Sequence, residues 1–240
     1  MATIQLTAHQ KAVRSSVALK ALMAVSGLIM VGYLLAHMYG NLKAFAGQQA
    51  FDGYSHHLRV IGEPVLPHTG LLWIIRVVLL AAVISHAISA IALWRRAHTA
   101  RGGASTMKTR YYSKGAKRGV QRSYSSFTLR WGGIVILLFV IYHILHLTLG
   151  AIHPGGGSDS PYQRLVNGFQ VPWVVISYTV AMLAVGLHLR HGVASALTTL
   201  GANTSATSRK RLNQLAYVVS GAITIGFLLI PFGVVVGIIH

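Results

Sequence analysis

Cysteine is absent from the 240 residues. That excludes disulfides, thiolate metal sites built by this chain alone, and the C-x-x-C-H attachment of a c-type haem. Acid is almost absent as well: Asp52, Glu63 and Asp159 stand against 21 lysines and arginines. None of the three lies inside a long apolar run. A di-iron carboxylate centre needs several glutamates within a helical bundle, and intramembrane proton or cation pathways usually display carboxylates, so both classes lose their chemistry here. Sustained period-two alternation is also missing, which disfavours a membrane barrel.

What the chain has is apolar length. Hydrophobic residues make up 53% and charged residues 10%, with a mean hydropathy of +0.57. This is a membrane protein's profile. Five stretches reach the ~20 residues needed to cross a bilayer core: 18–39, 71–94, 127–149, 171–193 and 215–239. Helices satisfy their own backbone groups in lipid. The expectation is therefore all-α: one integral-membrane domain over 1–240, a five-helix bundle without internal repeats. The first stretch exceeds the ~7–15 residues of a signal-peptide core, so it is read as an uncleaved first helix.

The net charge of +18 could suggest nucleic acid. The bases instead fall between apolar spans, where topology explains them and no nucleic acid is required. Ten lie in Arg95–Arg130, including Lys114, Lys117, Arg118 and Arg122. Lys11, Arg14 and Lys20 precede the first helix, and Arg209, Lys210 and Arg211 precede the fifth. The loops Gly40–Gly70 and Gly150–Gln170 hold all three acids. The positive-inside rule then predicts a cytoplasmic amino terminus and an outside carboxyl terminus. The basic loop 95–126 reads equally as a surface for anionic lipid or as a docking site for a cytoplasmic partner.

Thirteen histidines are many, and six fall inside expected helices: His37, His86, His143, His146, His188 and His191. An imidazole in hydrocarbon is costly unless partnered, which makes each a functional candidate. A single such histidine is readily explained by a hydrogen bond to a neighbouring helix; four helices each carrying one are not. Depth orders them. At ~1.5 Å per residue, His37 and His143 fall in the outer half and His86 and His188 in the inner half. Two level-matched pairs from different helices suit bis-histidine haem ligation. The H-x-x-H spacings His143/His146 and His188/His191 offer a choice of ligand on one face. His143 and His188 are preferred because they lie deeper, with His146 and His191 as substitutes. Arg76, about one turn inside the outer end of the second helix, is a candidate for a haem propionate. Arg130 and Arg190 read as snorkelling cations or as further propionate partners.

With those residues placed, the chain resembles the single-polypeptide, five-helix cytochrome b subunit of bacterial succinate dehydrogenases over nearly its whole length. The likeness rests on Ala36-His37-Met38-Tyr39-Gly40-Asn41-Leu42 and Leu71-Leu72-Trp73-Ile74-Ile75-Arg76. It rests further on Tyr142-His143, His188-Leu189-Arg190-His191-Gly192 and Ile230-Pro231-Phe232. The resemblance implies two b-type haems, the inner held by His86 and His188 and the outer by His37 and His143. It implies a flavoprotein that oxidises succinate and an iron–sulfur protein as cytoplasmic partners, in a bacterial inner membrane. The succinate-oxidising site would then lie outside this chain, whose task is to pass electrons to a membrane quinone. Quinone candidates are Arg59, His56, His57 and His68 on the outer side, or Arg130 and His191 on the inner. Two other readings stand beside it. One is a haem-free anchor whose histidines shape a quinone site or complete an iron–sulfur centre with a partner's cysteines. The other is a histidine-lined transporter.

Overall fold

A computed structural model describes residues 15–100 and 120–240, with the side chains of 100 and 120–128 left aside. The Lys114, Lys117 and Arg118 segment therefore lies outside the described residues.

Among the described residues the chain is helical, with no strand. Five helices are long and apolar enough to span a membrane: α1 (Ser16–Leu42), α3 (Gly70–Ala100), α4 (Val120–His143), α6 (Pro172–Thr199) and α7 (Ala206–Val235). This is a multi-pass membrane protein. Two short helices, α2 (Gln48–Val60) and α5 (Pro161–Phe169), lie between them. Both fall in regions read from sequence as loops. Each is short and rich in polar residues, so neither stands out as an apolar run long enough to span. The fifth span begins at Ala206, well before the expected residue 215, because Arg209, Lys210 and Arg211 join the helix as its polar first turns.

Local chemistry sets the ends. Ser15, Ser160 and Ser205 cap α1, α5 and α7, accepting from the backbone N–H of Ala18, Gln163 and Ser208 at 3.1, 3.2 and 3.0 Å. Pro161 and Pro172 start α5 and α6, where a missing N–H costs nothing. Gly201, at φ +92°, ends α6 in a conformation that disfavours side chains. After His143 the helix widens into a π turn over Ile144–Thr148. Such bulges often mark functional sites.

Helix α6 is the hub, packing on α1, α4 and α7. Helix α1 packs on α3, α6 and α7, while α3 otherwise meets only the short α2. The order around the bundle is therefore α3–α1–α6–α4, with α7 behind α1 and α6. No substantial interface joins α3 to α4 among the described residues. Lipid is as apolar as leucine, so helices associate through close approach of small residues. Gly186 accordingly lies against Thr224, and Gly226 against the Met38 side chain. The α6 and α7 spans are 39% buried, against 6% for α3 and α4, whose remaining faces are apolar and open.

The two ends of the bundle differ. At one, the capped end, α5 packs on α2 and α6. There Asp52 of α2 accepts from the Ser160 hydroxyl at 2.6 Å and the Tyr162 N–H at 3.0 Å. Tyr162 in turn donates to the His240 carbonyl at 3.0 Å. All three acids belong to the segments at this end. The other, the basic end, gathers Lys20, Arg95, Arg96 and Arg209–Arg211.

Candidate haem-binding histidine pairs

Two histidine pairs form between helices that share no substantial interface. His37 of α1 meets His143 of α4 with ring centres 5.8 Å apart. His86 of α3 meets His188 of α6 at 6.2 Å. Each pair lies on a diagonal of the α3–α1–α6–α4 ring. Level follows from neighbours. His143 touches Tyr178, ten residues before His188 on α6, and His188 lies near Gly133, ten residues before His143 on α4. At ~1.5 Å per residue the two pairs are ~15 Å apart along the bundle.

At the basic end, His86 Nδ1 lies 3.0 Å from the Met23 carbonyl and 3.4 Å from the Ser26 hydroxyl. A carbonyl can only accept, so Nδ1 carries the proton and Nε2 keeps a free lone pair. This is the arrangement of a metal-ligating imidazole, its far nitrogen tied to a backbone oxygen. Close approach is required here: a Cβ on Gly27 would stand 3.3 Å from His86 Cε1. His188 Nδ1 is buried without a hydrogen-bond partner.

At the capped end the surroundings are aromatic. Tyr33 stacks on His37 at 5.2 Å, Phe227 of α7 lies at 5.6 Å, and Phe139 lies 5.8 Å from His143. His37 Nε2 accepts from the Asn41 amide at 3.3 Å, a long contact on the lone pair a metal would take. His143 Nδ1 lies 3.3 Å from the Tyr178 hydroxyl.

The two histidines of each H-x-x-H motif stand in different surroundings. His146 is 2% exposed, with Tyr178 3.0 Å from its Nδ1, and is wedged against Gly168 of α5. It has no open face, and His143 alone meets His37. His191 sits beside the Arg190 guanidinium at 3.1 Å, while His188 alone meets His86. Arg190 itself stacks on Tyr217 of α7 and donates to its hydroxyl at 2.8 Å. Arg76 is exposed over the Trp73 ring of its own helix, with its charge near Tyr33 and hence near the capped-end pair. His56, His57 and Arg59 are exposed on α2, and His68 pairs with Glu63 at 3.1 Å on the surface. Arg130 is exposed near the basic end of α4. The outer-side candidates His56, His57, Arg59 and His68 thus lie at the capped end, and Arg130 and His191 lie toward the basic end.

Sequence reasoning missed Tyr178, Tyr33, Asn41 and the Met23 carbonyl. Tyr178 carried one signal, its level opposite His143 on an antiparallel helix, but only helix adjacency makes that level meaningful.

The spacing within each pair fits a metal ion held between two imidazoles, the donor set that a b-type haem would use. Metal–nitrogen bonds of ~2 Å on opposite sides of one ion put two imidazole centres ~6 Å apart, close to the 5.8 and 6.2 Å found. Among the described residues no three His, Asp or Glu side chains converge.

No family model, curated protein or solved structure matches this chain.

Proposed function

We propose that this chain is the two-haem cytochrome b anchor of a bacterial succinate:quinone oxidoreductase. The observation that carries the reading is the pair of diagonal histidine contacts, at two levels, across helices that do not otherwise pack. Each haem, when bound, supplies a one-electron iron couple.

The chain's own residues prepare those sites. Met23 holds His86 in the tautomer that frees Nε2. Tyr33, Phe139 and Phe227 exclude water from the capped-end pair. His37, His143, His86 and His188 are the proposed iron ligands, with Arg76 facing a propionate at the capped-end level.

Orientation belongs to the same reading. The bases at one end support a reading in which that end faces the cytoplasm across a bacterial inner membrane. There the iron–sulfur and flavoprotein partners would dock and deliver electrons, which pass through both pairs to a membrane quinone.

The experiment is optical. Purified protein should show reduced-minus-oxidised b-type bands, with two haems per chain by pyridine assay, and should bring succinate dehydrogenase activity with it. A colourless preparation from haem-replete cells would sink the two-haem reading.

A further inference from the structure

Tyr178 is a buried polar group held on several sides. It is 6% exposed, and Phe139 and Phe169 meet its ring edge-on at 4.8 and 4.9 Å. Its hydroxyl faces two imidazoles, His143 Nδ1 at 3.3 Å and His146 Nδ1 at 3.0 Å. His146 is fixed in turn, since a Cβ on Gly168 would fall 2.5 Å from its Nε2.

The two-haem reading, on which this inference rests, gives that triad a direction. An imidazole that binds iron through Nε2 keeps its proton on Nδ1, so His143 must donate. A phenol has one proton and can accept while donating. Its oxygen therefore accepts from His143, and its own proton goes to His146 Nδ1. An acceptor on a ligand's far N–H makes the imidazole a stronger electron donor and holds its ring plane. Stronger donation favours the oxidised iron.

We propose that Tyr178, anchored by His146, is a positioning residue that orients His143 and lowers the reduction potential of the capped-end haem. The basic-end ligand His86 uses a backbone carbonyl instead. The two ligands are thus held by different means, His86 chiefly by a backbone carbonyl with the Ser26 hydroxyl farther off at 3.4 Å, and His143 by a side-chain hydroxyl.

The test is a potentiometric titration of the purified full-length protein, read by haem absorbance and by the ferric low-spin resonance signals. Loss in the His143→Leu variant assigns the capped-end haem. Tyr178→Phe should keep both haems and raise the capped-end midpoint while the basic-end one stays. A tenfold change in the relative affinity of the two oxidation states corresponds to ~59 mV for one electron. His146→Leu should move the same midpoint upward, and His146→Asn, whose amide oxygen can stand at the Nδ1 position, should restore it. Both haems present with unmoved midpoints in Tyr178→Phe overturns the inference and leaves the two-haem reading intact. If Tyr178→Phe does not yield folded protein with both haems, the His146 variants decide: identical midpoints in Leu and Asn overturn it. A wild-type protein without haem overturns both.

Discussion

The capped and basic ends hold the same pairing of histidines in opposite surroundings. At the capped end, the imidazoles of His37 and His143 are flanked by Tyr33, Phe139, Phe227 and Tyr178, beneath two short helices tied by Asp52. At the basic end, His86 and His188 face each other, a backbone carbonyl, the Ser26 hydroxyl and two glycines. The difference teaches how an imidazole's tautomer is secured. A side-chain hydroxyl can be substituted away and can tune its partner. The Met23 carbonyl remains when side chains change, so the His86 tautomer rests first on the backbone, with the Ser26 hydroxyl farther off at 3.4 Å.

The largest expected effect separates the ends completely. On the proposed reading His86→Leu or His188→Leu should remove one haem, and His37→Leu or His143→Leu the other, because each would lose one of the two side chains proposed to hold it. Haem stoichiometry and spectra check this, and two haems in all four variants would dissolve the comparison. Sidedness is equally all-or-none. Single cysteines replacing Asp159 and Thr204 should react from opposite faces of sealed vesicles, since these exposed residues lie at opposite ends. Labelling from one face would refute the antiparallel placement.

A smaller effect is confined to the cap. Asp52→Ala removes two hydrogen bonds to a charged acceptor, at a cost on the order of 2 kcal/mol for this half-buried group. Thermal release of the capped-end haem should move to lower temperature, and equal loss from both ends would show that the cap does not act locally. The smallest effect belongs to the basic end. Gly27→Ala puts a methyl 3.3 Å from His86 Cε1, so His86 must shift by a few tenths of an ångström and perturb only that haem's spectrum. Gly32→Ala, with open space around its Cβ, should leave both spectra unchanged and gain up to ~1 kcal/mol of helix stability.

Particular residues show where sequence reading reached its limit. His37, His86, His143 and His188 were legible because an imidazole in an apolar run violates the local pattern, and helical rise converts position into depth. Helix α5 was not, because its apolar face exists only against α2, α6 and α7. Nor could the sequence close off His146. Three residues from His143 and on the same face, it is distinguished only by Gly168 of another helix pressing on it.

Composition and periodicity alone determined the membrane class, the five spans, their alternation and the depth of each histidine. All of these follow from one-dimensional quantities: apolar length, rise per residue and the cost of charge in lipid. Which histidine faces which, which nitrogen carries the proton and which hydroxyl stands behind a candidate ligand were decided by tertiary structure. Those are distances of 3 to 6 Å between helices far apart in the chain. Only packing around α6 brings them within reach.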